Sequence, residues 1–156
     1  MLIFVIALSE YDLVCEEDNT TNRLDESLKL FEEMVNNKYF AKTNICIFYN
    51  KNDLFIEKVQ QRFLACTSFE SDTPQVPVHN FSKFHKYDGP NTADAVRKHI
   101  CGCFESLNKS DAKQRAVYTH VTCATDTEQI KIVWTSVADV LLRENLASAG
   151  FSQEMI

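Results

Sequence analysis

The chain is short of the residues that bend and interrupt a backbone: its 156 residues include only three glycines and three prolines. Gly89, Gly102 and Gly150 stand singly, so they cannot build a glycine-rich, phosphate-cradling loop and also serve several turns. Positive charge is scarce as well, with 16 Lys and Arg against 22 Asp and Glu and a net charge of −6. That balance argues against a nucleic-acid-binding surface, which needs a basic patch. Long apolar runs are missing too; the longest, Met1 to Leu8, is far too short to cross a bilayer. It has no basic leader and meets Glu10 and Asp12 at once, so it does not read as a signal peptide. What is present is ordinary. Hydrophobic residues at 45% and charged residues at 24% exclude a disordered or collagen-like chain, and the length bounds it to one domain.

Six cysteines, Cys15, Cys46, Cys66, Cys101, Cys103 and Cys123, are scattered along the chain, several inside apolar runs where Cys behaves as a small hydrophobe. Reduced intracellular thiols are expected. Only His99, Cys101 and Cys103 crowd together. On a helix, His99 and Cys103 would share a face while Cys101 points elsewhere, and no fourth ligand stands at zinc spacing. No metal site is expected.

Met1 to Leu8, bounded by Ser9 and Glu10, has the pattern of a strand buried on both faces in a parallel sheet. A polar, acidic loop from Cys15 to Thr21 leads to a helical stripe of Leu24, Leu28, Phe31 and Val35, ended by Asn36-Asn37. Ile45 to Tyr49 reads as a second buried strand, followed at once by Asn50-Lys51-Asn52-Asp53. Periodicity then fades between Arg62 and Pro90, where all three prolines lie; the range 62–90 reads as a long insertion. Thr92 to Leu107 is helical again, Val117 to Cys123 is a third strand, and a last helix runs over about 126–147. Thr125 with Glu128 suggests a capping box, Ile130, Trp134, Val137 and Leu141 form its stripe, and Gly150 marks its end. Strands alternating with helices predict a parallel α/β sheet with right-handed crossovers. Three strands are fewer than such sheets normally carry. The chain reads as part of a sheet.

In open α/β sheets, ligands bind beyond the carboxyl ends of the strands. Two distinctive loops are delivered there, Asn50-Lys51-Asn52-Asp53 and Thr122-Cys123-Ala124-Thr125. A carboxylate is an acceptor-only group that takes two hydrogen bonds side by side, and guanine offers two adjacent donors where adenine does not. Asp53 is therefore suited to clamp guanine, and the backbone N–H of Ala124 can donate to the guanine carbonyl oxygen. Adenine would set its amino group against that N–H. Sites built on such pairing reject the mismatched analogue by roughly 10⁴-fold or more. Lys51 can lay its aliphatic stem along the base plane.

These loops carry a resemblance. Asn50-Lys51-Asn52-Asp53 matches the NKxD guanine-specificity motif of GTP-binding proteins, and Thr122-Cys123-Ala124-Thr125 resembles the TCAT element of the heterotrimeric G-protein α subunits. Further matches fall in order: Ala7 to Asp12, Asn22-Arg23 with Glu26-Ser27, Asn36 to Phe40, Tyr87 to Thr92, and Tyr118 to Val121. The chain resembles the carboxyl-terminal half of the Ras-like GTPase domain of such a subunit, from about its fourth strand onward. The implied fold class is α/β: a partial P-loop NTPase (Ras-like) fold with three parallel strands and flanking helices, missing the P-loop half, as one incomplete domain over 1–156.

The resemblance implies that Asn50, Lys51 and Asp53 hold the guanine base with Leu54 beside them, and that Cys123, Ala124 and Thr125 close the other side. It implies that Glu16, Glu17, Asp18, Asn19, Thr20, Thr21 and Asn22 form a loop similar to switch III, although an acidic run is equally a solvated loop. It makes Leu142, Asn145, Leu146, Gly150 and Phe151 receptor-facing residues of the last helix. The implied ligands are GDP and GTP. The implied partners are the G-protein βγ dimer, a G-protein-coupled receptor and an effector. The implied location is the cytoplasmic, inner face of the plasma membrane.

Departures from the family pattern narrow these implications. The chain contains no G-x-x-x-x-G-K-[ST] segment, no Asp-x-x-Gly-Gln and none of the Arg or Ser/Thr positions that serve the phosphates and Mg²⁺. A fragment or truncated form is expected, with a base pocket, weak guanine-selective binding, no bound Mg²⁺ and no GTP hydrolysis of its own. The stretch from Phe63 to Phe84 is longer than relatives usually show; Ala149-Gly150-Phe151 stands where they end in Cys-Gly, and Ser152 to Ile156 run beyond. A second reading remains: a non-catalytic module whose last helix and tail engage a receptor or effector without nucleotide. The first strand, expected to pair on one side only, is a template for self-association.

Overall fold

Three parallel strands, β1 (Leu2–Ala7), β2 (Ile45–Asn50) and β3 (Val117–Val121), hydrogen-bond in the order β1-β2-β3. The computed structural model describes residues 1–67, 87, 89–90, 92–109 and 115–148, without the side chains at 62–67, 144 and 147–148. The register runs from Leu2↔Ile45 to Ala7↔Asn50 on one side of β2, and from Ile45↔Val117 to Tyr49↔Val121 on the other. Ile45, Cys46, Ile47, Phe48 and Tyr49 are all buried. A run that is apolar at every position needs cover on both faces, which is why β2 takes the centre.

Alternation along the strands sorts the sheet into two faces. Phe4, Ile6, Ile45, Ile47 and Tyr49 belong to the larger core, with Leu28 and Phe31 from α1 (Arg23–Val35), Phe55 and Val59 from α2 (Asn52–Thr67), and Val96, Ile100 and Phe104 from α3 (Ala93–Ser106). Phe31 lies between Phe4 and Phe104, with ring centroids 5.1 and 5.6 Å away, in the tilted geometry aromatic pairs favour. On the other face, α4 (Thr127–Ser148) packs Val133 and Val137 against Cys46 and Phe48. The β1 part of that face is open: Ile3 is 38% and Val5 57% exposed.

The expected order of elements is found, with differences that have physical causes. Helix α2 starts inside the polar Asn50–Asp53 motif and continues to Thr67, past Arg62, where an insertion was expected to begin. Phe55 and Val59, one turn apart, anchor it to the core, but the charged residues between and after them blur its stripe. Residues 68–86, the greater part of that expected insertion, lie outside the described residues. The start of α4 is capped by Asp126, not Thr125: Asp126 Oδ1 accepts from the Gln129 N–H at 3.0 Å, and Gln129 Oε1 accepts from the Cys123 N–H at 2.8 Å. Asp is the stronger cap. Val133, rather than Trp134, completes the buried stripe; Trp134 stays 51% exposed and meets Phe48 edge-on at 6.2 Å. Gly150 lies outside the described residues.

The entry to α1 depends on one side chain. Asn22 Oδ1 accepts from the Leu24 and Asp25 N–H groups at 2.8 and 3.3 Å, while its Nδ2 donates to the Tyr11 carbonyl at 2.8 Å. Asn22 is buried, so losing it removes a cap and leaves the Tyr11 carbonyl without that donor. Asn22→Ala is expected to destabilise the chain by about 2–3 kcal/mol. Urea unfolding checks this, with a lowered midpoint at an unchanged slope.

Candidate functional site

All three strands are parallel, so their carboxyl ends share one edge of the sheet. β1 runs into a 3-10 turn, Leu8–Glu10; β2 runs through Lys51 into α2; β3 runs through Thr122–Asp126 into α4. Asn50, the last residue of β2, ties two of these exits together. Its Oδ1 accepts from Thr122 Oγ1 at 3.3 Å and from the Ala124 N–H at 3.1 Å. The backbone adds Thr122 N–H to the Tyr49 carbonyl at 2.9 Å and Asn52 N–H to the Thr122 carbonyl at 3.3 Å. Thr122 is fully buried beneath them.

Lys51 sits at φ 58°, in the left-handed region that residues with a Cβ seldom adopt. The turn lets the Lys51 carbonyl accept from the Phe55 N–H at 3.0 Å, starting α2, while Nζ reaches Glu10 Oε1 at 2.8 Å. That contact with Lys51 is the main reason the Glu10 carboxyl lies below its ordinary range. Asn52 Oδ1 accepts from Arg97 at 3.0 Å, fixing the start of α2 to α3. Asp53 stands exposed in the first turn of α2. The Cys123 thiol beside it, and then the Leu54 N–H, hold its carboxyl below the usual carboxylate range. Leu54 is 48% exposed alongside, and Cys123 Sγ lies 2.9 Å from Thr125 Oγ1.

Asn50, Asp53, Cys123, Ala124 and Thr125 are therefore joined by direct contacts, with Lys51 and Leu54 carried on the same turn. The edge they form presents an ionised acceptor, an apolar side chain and a lysine stem. One expectation changes. The Ala124 amide is already donated to Asn50, so a base carbonyl would share or take that proton. A hydrogen bond between side chain and backbone 74 residues apart leaves no trace in local sequence.

With this geometry in view, comparison with known proteins is decisive. The G-protein alpha subunit family model matches residues 1–141. The chain belongs to that family. Over 149 residues it is 42% identical to the guanine nucleotide-binding protein G(o) subunit alpha of Lymnaea stagnalis, and equally to that of Planorbella trivolvis, covering 96% of this chain and 37% of each relative. It thus spans little more than a third of the length of these curated relatives. Three parallel strands with flanking helices fit part of the P-loop NTPase-like α/β fold of a G-protein alpha subunit.

In this α-subunit chain the other candidate residues lie outside the Asn50–Leu54 and Cys123–Thr125 segments. Glu16 to Thr21 form a tight loop in which Asp18 accepts from the Thr20 and Thr21 N–H groups at 3.0 and 2.9 Å and from the Thr21 hydroxyl. Those bonds, the Thr21 hydroxyl first, hold Asp18 well below the usual carboxylate range. Asn19 takes a positive φ of 53°, while Asn22 is the α1 cap and so has a structural role. Leu142 and Asn145 are exposed and Leu146 half-buried on α4, at least four helical turns, roughly 20 Å or more, from its start. Gly150 and Phe151 lie outside the described residues.

Glu10 and Arg23 lie in segments matched to the family but were given no role by sequence reasoning, and Arg97 was not singled out; the available signal was charge placed just after a strand or at a helix start. Cys103 Sγ lies 3.7 Å from His99 Nε2, on the shared face expected of helical spacing. Among the described residues no group of three His, Cys, Asp or Glu side chains is placed to hold a metal. The Cys15 thiol, facing Glu26, the buried Cys46 thiol and the half-buried Cys101 thiol are pushed up to about 11, so they are not reactive thiolates at neutral pH.

Asn50→Ala is expected to cost about 1–3 kcal/mol, because it strips the buried Thr122 hydroxyl and the Ala124 amide of a shared acceptor. Hydrogen exchange checks the cause: the Ala124 amide should lose protection before the β2 amides do.

Proposed function

We propose that this chain is the guanine-recognising part of a G-protein α subunit, a signal transducer acting between a G-protein-coupled receptor and an effector. The observation that carries the reading is the exposed, ionised Asp53 fixed beside the Asn50–Ala124 contact at the carboxyl edge of the sheet. Asp53 would accept from the ring N–H and exocyclic amino group of guanine, the Ala124 amide would face its carbonyl, and the Lys51 stem and Leu54 would flank the ring. Adenine offers the wrong pattern to Asp53 and to the Ala124 amide. The ligands are GDP and GTP. The phosphates and Mg²⁺ require groups of the glycine-rich loop type, which these 156 residues do not contain. Partners of the parent family, a βγ dimer among them, and a place at the inner face of the plasma membrane belong to the same proposal; among the described residues no helix is long and apolar enough to cross a membrane.

Affinity should be low. About 11 non-hydrogen atoms of guanine, at roughly −0.3 kcal/mol each, give about −3 kcal/mol, a dissociation constant in the millimolar range. GDP and GTP should shift the Leu54 and Ala124 amide resonances at millimolar concentration, and ATP should not. Asp53→Asn should erase the preference, since an amide presents a donor where an acceptor is needed. Because Asp53 is held below the ordinary range near pH 4, it stays ionised on mild acidification, and the preference should be the same at pH 5 as at pH 7. An equal response to ATP would defeat the reading, as would nanomolar GDP binding.

Exposed apolar residues on α4, Trp134 and Leu142, support the second reading, an interaction surface for a receptor or effector. Self-association belongs here too. β1 pairs with β2 alone in the described sheet and carries Ile3 and Val5 exposed on one face, an uncharged edge open to strand addition. Sedimentation should show an apparent mass that rises with concentration, and Val5→Lys should move the distribution toward monomer. A concentration-independent monomer would overturn this part.

A further inference from the structure

Ion pairs connect the turn after β1 with both the base loop and the start of α1. Glu10 Oε1 takes Lys51 Nζ at 2.8 Å, and Glu10 Oε2 faces Arg23 at 3.5 Å. Arg23 in turn donates through Nε to the Val14 carbonyl at 3.1 Å and through its other terminal nitrogen to Glu16 Oε1 at 3.0 Å. Its backbone N–H reaches the Leu13 carbonyl at 3.0 Å. One carboxylate therefore holds the lysine of the base loop and the arginine that grips the loop between Val14 and Asn22.

The rest of this turn is held from the same side. Lys58 Nζ, on α2, donates to the Ser9 carbonyl at 2.8 Å and to Asp12 at 3.0 Å. The turn is therefore tied to α2, the helix whose first turn carries Asp53. Arg23 gains nothing from its helix, because a cation in the first turn opposes the α1 dipole; its contacts with Glu10, Glu16 and Val14 explain its place. Stability does not explain the chain of charges, since Lys51 and Glu16 are 44% and 88% exposed and such pairs contribute little. What the arrangement fixes is geometry: Lys51 would otherwise swing on a flexible stem from a left-handed backbone position.

We propose that Glu10 is the positioning residue for Lys51 and that, through Arg23, it couples the base loop to the Val14–Asn22 loop. The coupling half stands on contacts in the ligand-free chain; its use in nucleotide sensing rests on the base-binding reading above. Linkage makes it reciprocal: whatever orders Lys51 orders that loop, and the reverse.

Hydrogen exchange on the full 156-residue chain without nucleotide tests the coupling. Lys51→Met keeps an apolar stem and removes the charge; it should speed exchange of the Glu16–Asn22 amides roughly two- to fivefold, with the urea midpoint near that of the wild type. Glu10→Gln should do the same, the double variant should add nothing further, and Lys51→Arg should restore protection. Unchanged exchange in Lys51→Met, or additive effects in the double variant, would overturn the proposal. GDP at millimolar concentration separates the two readings. If Leu54 and Ala124 respond and Glu16–Asn22 exchange does not slow in the wild type, the coupling fails and base binding stands. If Leu54 and Ala124 do not respond, base binding fails, and the ligand-free comparison still decides the coupling.

Discussion

The amide oxygen of Asn50 is the joint on which the candidate site depends. It stands at the end of β2, whose residues Ile45 to Tyr49 are buried, so the core fixes its position. Through its contacts with Thr122 and Ala124, 72 and 74 residues away, that fixed position passes to a loop with little packing of its own. Ordering each loop residue costs about 1–2 kcal/mol of backbone entropy. Two hydrogen bonds from a rigid strand offset part of that cost and set the loop's place to within a bond length. A site that discriminates by donor and acceptor pattern needs that accuracy more than it needs contact area.

The two faces of the sheet are unequal, and the inequality has consequences. One face meets α1, α2 and α3 in a large aromatic-rich core; the other meets α4 through Cys46, Phe48, Val133 and Val137. Each large apolar side chain left in water forgoes roughly 1.5–3 kcal/mol, and Ile3, Val5 and Trp134 are all substantially exposed beside that smaller core. Parallel strands are ordinarily covered on both faces. The open part of this sheet is thus its least covered region, whereas the Asn50–Leu54 segment hangs from its best-packed strand.

Much of the fold was legible because β1, β2 and the stripe of α1 are written in apolar residues at regular spacing. Helix α2 was not: Phe55 and Val59 anchor it, but it begins in a polar motif, so its start looks like a turn. One position of the α4 stripe was misread, because Trp134 is the larger apolar residue but Val133 the buried one, while Val137 and Leu141 pack as expected. At the candidate site, the placing of Asp53 and Ala124 just beyond the carboxyl ends of β2 and β3 could be read from the sequence. The donation of the Ala124 amide to Asn50 could not, nor could the link from Lys51 to Glu10, 41 residues apart. Those contacts arise from strand register, which brings Ala7 beside Asn50 and so sets the turn after β1 next to the base loop.

Recognising a purine and gripping a nucleotide are separable demands, and the charges at this edge fit the proposed first role better than the second. Tight binding of phosphates needs donors with uncommitted positive charge. Here Lys51 is paired with Glu10, Lys58 with Asp12, and Arg23 with Glu10 and Glu16, while the chain as a whole carries −6. Cations already matched by carboxylates add little attraction for a di- or triphosphate. The same pairing holds side chains in place, and fixed acceptors and donors are what reject a mismatched base. On the proposed base-binding reading, the edge suits selectivity at low affinity, and tight holding of the nucleotide would fall to groups that contact the phosphates.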